Sequence, residues 1–252
     1  MQAIHKNKFK MKTTYTKMNN KTYIGEYNIL PEHNTFEKYT VLFGGMNYQD
    51  DINELGEVKL LGRWNCVGQA KGFFVAEANN VTDLQKWLNN WITMGNIKIK
   101  PCIDDNLFRE LILGEPSDYK VTYNNISANV FETESLYFLK YKYKPGKIEE
   151  GFEKFAQMTE EDELRITGDC TCFGRWHNPS DGSGYIIASC PNVMSLYRWI
   201  RNLSDLIDFS IYPVIDDIDA RQIIRQSYGF DAKYDNLLFE IMKLEQPSKK
   251  CF

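Results

Sequence analysis

The chain has 252 residues, 43% hydrophobic and 25% charged, the usage of an ordinary folded protein, which excludes fibrous and wholly disordered architectures. Its net charge of −4 excludes a uniformly basic nucleic-acid binder. No run approaches the ~18 consecutive apolar residues of a membrane-spanning helix, so no membrane partner is expected.

Residues 1–20 read as a flexible basic arm. Through Lys21 this stretch holds six lysines and no acid, so the chain's −4 leaves −10 on the rest. It lacks the apolar core of a secretory signal and is expected to stay in solvent rather than to bind nucleic acid. A first unit over 21–112 follows, with strands at Lys21–Ile29, Val58–Trp64, Gly72–Ala78 and Ile97–Ile103. Helices are expected at Asn34–Phe43 and Asn80–Trp91. Residues 113–135, with Gly114, Pro116 and Asn124-Asn125, read as a linker.

The second unit, 136–225, opens on Leu136–Tyr143, whose period-two alternation marks a half-buried strand that stops at Pro145-Gly146. Ile148, Phe152 and Phe155 give helical spacing within Lys147–Met158. Cys170–Trp176 and Tyr185–Cys190 form a hairpin about the turn Asn178–Gly184. Asn192 caps a helix running to about Arg201, Phe209–Ile215 is the last strand, and Asp216-Asp217 starts a terminal helix. Residues 226–252 append an extension containing the amphipathic piece Leu237–Leu244.

The two units are copies. Gly62-Arg63-Trp64 recurs as Gly174-Arg175-Trp176 at an offset of 112, which also aligns Gly72 with Gly184, Trp87 with Trp199, Pro101 with Pro213 and Arg109 with Arg221. The order in each is βαββαβ, the ferredoxin-like unit. One such unit covers only one face of its sheet with helices. The expected fold is therefore α+β: two tandem ferredoxin-like domains packed as an intramolecular dimeric α/β-barrel, a monomer with an internal pseudo-two-fold axis.

The run Val58–Trp64, then Gly72–Glu77, Leu84, Trp87, Trp91, Pro101 and Asp104, resembles the domain-of-unknown-function family 3303. Cys172–His177, Gly184–Ala188, Leu196–Trp199, Ser204–Phe209 and Pro213–Asp216 carry the same resemblance in the second copy. The resemblance implies a dimeric α/β-barrel domain, usually one per chain, with no established activity. Its wider superfamily includes antibiotic-synthesis and haem-degrading monooxygenases as well as regulatory ligand-binding modules, so the fold settles no function.

Arg63-Trp64-Asn65 and Arg175-Trp176-His177 end equivalent strands. As ligand-binding residues, Trp would supply a stacking surface, Arg an anion fork, and Asn or His a polar contact. The bland alternative makes the tryptophans core plugs and pairs each Arg with the Asp-Asp step of its own copy. His177 is the candidate catalytic base, and Asn65 in its place would leave the first copy inactive. Cys170, Cys172 and Cys190 lack zinc-type spacing, so no metal is expected, and no phosphate loop points to a cofactor. Six cysteines are too sparse for a stapled scaffold, so reduced thiols and a cytoplasmic setting are expected. Two functions follow. The first is a non-catalytic module binding a small, partly apolar ligand or a partner protein through the interior between the repeats. The second is a cofactor-independent monooxygenase-like enzyme acting on a small organic substrate in the second repeat.

Overall fold

The computed structural model describes residues 21–32, 48–117, 119–121 and 135–228. The first repeat contains β1 (Lys21–Ile29), α1 (Tyr48–Leu55), β2 (Lys59–Cys66), β3 (Lys71–Ala78), α2 (Val81–Leu88), β4 (Gly95–Asp104) and α3 (Asp105–Leu113). The second contains β5 (Ser135–Tyr143), α4 (Ile148–Ala156), α5 (Glu160–Thr167), β6 (Thr171–Asn178), β7 (Ser183–Cys190), α6 (Val193–Arg201), β8 (Ile207–Asp216) and α7 (Asp217–Tyr228). The basic arm, the helix expected at Asn34–Phe43 and the piece at Leu237–Leu244 lie outside the described residues. None of the described helices is long and apolar enough to cross a membrane.

Each repeat makes a four-stranded antiparallel sheet in ferredoxin-like order, β4-β1-β3-β2 and β8-β5-β7-β6, and the two close into one eight-stranded barrel. The seams are short. Trp64, Asn65 and Cys66 of β2 pair with Asp216, Ile215 and Val214 of β8, and Ile103 and Asp104 of β4 pair with His177 and Trp176 of β6.

Strand alternation sorts side chains between the barrel interior and the helix-covered outside. Along β5, Leu136 and Phe138 enter the interior, while Tyr137, Leu139, Tyr141 and Tyr143 face the helices. The interior is packed with side chains from both repeats, among them Ile24, Trp64, Phe73, Val75, Phe138, Tyr185 and Ile187. Phe73 and Phe138 stack across it at 4.0 Å between ring centres, and Trp64 lies 6.4 Å from Trp176. Each half thus shields the inner sheet face of the other.

Caps follow the sequence closely. Asn80, Asp104 and Asn192 accept the backbone N–H of Asp83, Leu107 and Ser195, and Asp216 accepts that of Asp219. Two helices, α1 and α5, have no counterpart in the sequence reading. Both are only eight residues long and rich in acids; α5 opens on four consecutive acids, and α1 offers only the short stripe Tyr48, Ile52 and Leu55. The Thr159/Asp162 capping box was the signal for α5. The expectation of reduced thiols is corrected at one pair: Cys170 and Cys190, opposite each other at the ends of β6 and β7 with Cα atoms 4.4 Å apart, form a disulfide.

Candidate functional site

The seams decide what surrounds the candidate residues. Because β4 ends beside β6, the helix that follows it, α3 of the first repeat, starts against the outer face of the second repeat's sheet. By the same logic α7 starts against β2. Each repeat therefore lends its last helix to the other's site.

On β6, Arg175 and His177 point outward to the helices and Trp176 between them points inward. On β2, Arg63 and Asn65 point outward and Trp64 inward. The six expected ligand-binding residues therefore do not share one pocket. Trp64, 2% exposed, and the partly buried Trp176 are plugs of the barrel interior, which corrects their placement as pocket walls beside Arg and His. The pairing of each Arg with the Asp-Asp step of its own copy is also corrected, since Arg63 reaches Asp217 and Arg175 reaches Asp105, each in the other copy.

His177 is 2% exposed and Asp105 wholly buried. The imidazole Nε2 bonds Asp105 Oδ1, and Nδ1 bonds the Tyr141 hydroxyl. A carboxylate only accepts, so the ring donates Nε2–H to Asp105 and accepts the Tyr141 proton at Nδ1. Phe108 of α3 stacks on the ring at 4.1 Å and 8°. Burial lowers the His177 pKa from its ordinary value, outweighing Asp105, and the imidazole is held neutral. Burial also pushes the Tyr141 phenol well above its ordinary range. Gly184 faces Tyr141 across the β5–β7 pair, and a Cβ there would sit 2.2 Å from the phenol. This is why glycine recurs at 72 and 184.

Around this chain lies a buried charge network. Arg175 pairs with Glu163 of α5 and lies 3.5 Å from Asp105. Arg109 of α3 donates to the Phe155 and Met158 carbonyls, each at 2.9 Å, and lies 3.4 Å from Glu163. The first repeat repeats the plan, at the 112 offset for the charged residues and at 114 for Tyr27 and Tyr141. Arg63 bonds Asp217 at 2.6 and 2.8 Å, Arg221 bonds Asp217 at 3.1 Å and Asp51 at 2.9 Å, and Tyr27 donates to Asn65 at 2.6 Å. Asn65 stands where His177 stands. Sequence reasoning missed Tyr141, Glu163 and Asp51, although the acidic match of Asp51 with Glu163 at the repeat offset was there to be found.

Between sheet and helices each repeat has a cleft. The second, about 540 Å³ including its open part, is lined by Tyr141, His177 and Arg175 on one side and by Phe155, Ile166, Trp199, Leu203, Leu206 and Phe209 on the others, with Lys154 among its residues. The first, about 670 Å³ on the same measure, is lined among the described residues by Tyr27, Arg63, Phe74, Trp87, Trp91, Met94 and Ile97. Among the described residues no cluster of three His, Cys, Asp or Glu side chains stands where a metal could be held.

The fold is shared with solved structures. A single-substitution variant of chlorite dismutase from Candidatus Nitrospira defluvii, in complex with cyanide, matches 84% of this chain and 95% of its own at 9% identity and a TM-score of 0.50. A protein described provisionally as a monooxygenase, from Lactobacillus acidophilus, matches 79% of this chain and 94% of its own at 8% identity and a TM-score of 0.46. These likenesses are of fold alone. No curated protein sequence matches the chain. One family model does, described as Domain of unknown function (DUF3303), and it matches twice, over residues 40–114 and 135–228. The chain belongs to that family and carries it as a tandem pair.

Proposed function

We propose that the protein binds a small, partly apolar organic molecule in the second cleft, on the helix side of the barrel rather than in its interior. The supporting observation is the make-up of this cleft, which combines aromatic and aliphatic walls with a few fixed polar groups, Tyr141, His177 and Arg175. The filled interior leaves the tryptophans as core and moves the ligand outward. Arg109 and Arg175 balance Asp105 and Glu163 in the buried network, so the exposed Lys154 at the cleft favours a ligand with an acidic end. Anilinonaphthalene sulfonate has this character. It is expected to bind the folded protein at one site, to be excluded by Leu203→Trp, and to bind about 2–5-fold more weakly to Lys154→Glu, the size of an exposed charge pair. Unchanged binding to a folded Leu203→Trp protein would remove this cleft from the reading.

One observation favours a second reading, an oxygenase-like enzyme: His177 has a buried carboxylate partner, supplied by the other repeat. Its Nδ1 reaches the cleft through the Tyr141 hydroxyl. A substrate proton would pass to the Tyr141 oxygen as Tyr141 gives its own proton to Nδ1, and Asp105 would hold the resulting imidazolium. Under this reading Tyr141→Phe and His177→Asn abolish turnover of a ligand they still bind. Full turnover in Tyr141→Phe would exclude it.

A further inference from the structure

We propose that the first cleft is a separate small-molecule site, selective for an uncharged aromatic compound carrying one hydrogen-bonding oxygen. The pseudo-two-fold axis allows the two clefts to be compared position by position. Where the second has Leu203 and Ile166, the first has Trp91 and Glu54 at the 112 offset. Trp91 lines the first cleft, and among the described residues its buried indole Nε1–H has no hydrogen-bond partner. Glu54 on α1 accepts from the Trp87 indole, while its Oε1 is likewise buried and has no partner among the described residues. Buried donors and acceptors are almost always satisfied, so the orphan Trp91 donor at the cleft marks where a ligand's hydrogen-bonding oxygen belongs, while Glu54 stands behind the wall, on Trp87.

Charge sets the ligand class. Arg63 and Arg221 are balanced by Asp51 and Asp217, and burial raises the Glu54 carboxyl to about 7. Among the described residues the surroundings thus carry little net charge near neutrality and offer no excess cation to an acidic group. The remaining walls (Phe74, Trp87, Leu88, Met94 and Ile97) suit a flat apolar ring. This site does not depend on the assignment of the second cleft, which has an apolar residue at both positions.

Calorimetric titration of the whole chain with naphthol and with naphthalene tests it. Naphthol should bind about fivefold more tightly, the net worth of one hydrogen bond. Trp91→Phe should erase that preference, Met94→Trp should exclude both compounds, and Leu203→Trp should leave both untouched. Equal affinity of the two compounds for the wild type would overturn the proposal without any variant having to fold. So would loss of naphthol binding in Leu203→Trp with retention in Met94→Trp, or no binding of either compound to the folded chain. Binding of anilinonaphthalene sulfonate to the second cleft is read independently of these outcomes.

Discussion

At the residue scale, the feature with the clearest consequences is a neutral histidine sealed between Asp105 and Tyr141. In the unfolded chain this histidine protonates as pH falls through about 6.5. In the folded chain burial opposes the proton. The stability His177 contributes is therefore complete above that pH and is lost as pH drops toward the lowered folded value. The stability gap between wild type and His177→Asn should narrow from about pH 7.5 to about pH 5; a gap independent of pH would contradict the assignment. Glu54 works with the opposite sign. Its folded carboxyl, raised by burial to about 7, favours the proton, so ionisation is resisted in the folded state as pH rises. Glu54→Gln should gain stability over the wild type at alkaline pH, with the difference fading in acid, as followed by thermal unfolding. Replacing Asp105 with Asn removes the carboxylate from His177 and leaves Arg175 with Glu163 alone, and should cost about 3–5 kcal/mol in denaturant unfolding, the scale for breaking a buried ion pair. His177, Arg175 and Asp105 were all legible in the sequence as residue types at repeated positions. Their partnership was not, because Asp105 lies 72 residues from His177 and meets it only through a strand seam.

At the element scale, the crossing of α3 and α7 organises both sites. Each helix starts directly after a strand that ends beside the other repeat, so capping and site assembly are one event. Asp104 accepts the Leu107 N–H at 2.8 Å and so fixes the start of α3, which carries Asp105, Phe108 and Arg109 into the second site. Asp104→Ala should cost about 1 kcal/mol as a lost cap. A larger loss, together with weakened binding of anilinonaphthalene sulfonate, would show that the cap also positions the network. The strands and the α2, α4 and α6 helices were readable from periodicity, and the Asp-Asp steps were readable as helix starts. The sequence reading nevertheless assigned each Arg to the aspartate of its own copy. Local pattern places Asp105 at a helix terminus, but barrel closure decides which sheet that helix lies on. The acidic helices α1 and α5 escaped for a different reason, since they are short and contribute mainly charges to the network.

For the whole molecule, the two repeats close into one barrel, as the repeat at offset 112 led one to expect. The shared interior includes Trp64, Phe73, Phe138 and Tyr185, so neither half has a complete core of its own. Unfolding should be a single cooperative transition, and Trp64→Ala should cost about 3–5 kcal/mol, the scale of a buried large-to-small change. Two resolved transitions, one per repeat, would contradict a common core. The same packing explains why the interior could not be judged from sequence. Apolar strand faces specify that something covers them, whereas side-chain volumes in three dimensions decide whether space remains. The clefts survive on the other face, where helices stand off the sheet and polar groups gather. A mass spectrum of the chain purified from its own cells under non-denaturing conditions tests this account most directly. The wild type should carry one bound organic molecule that the folded Leu203→Trp variant lacks; a bare wild-type mass, or an adduct that persists unchanged in that variant, would contradict a ligand site in the second cleft.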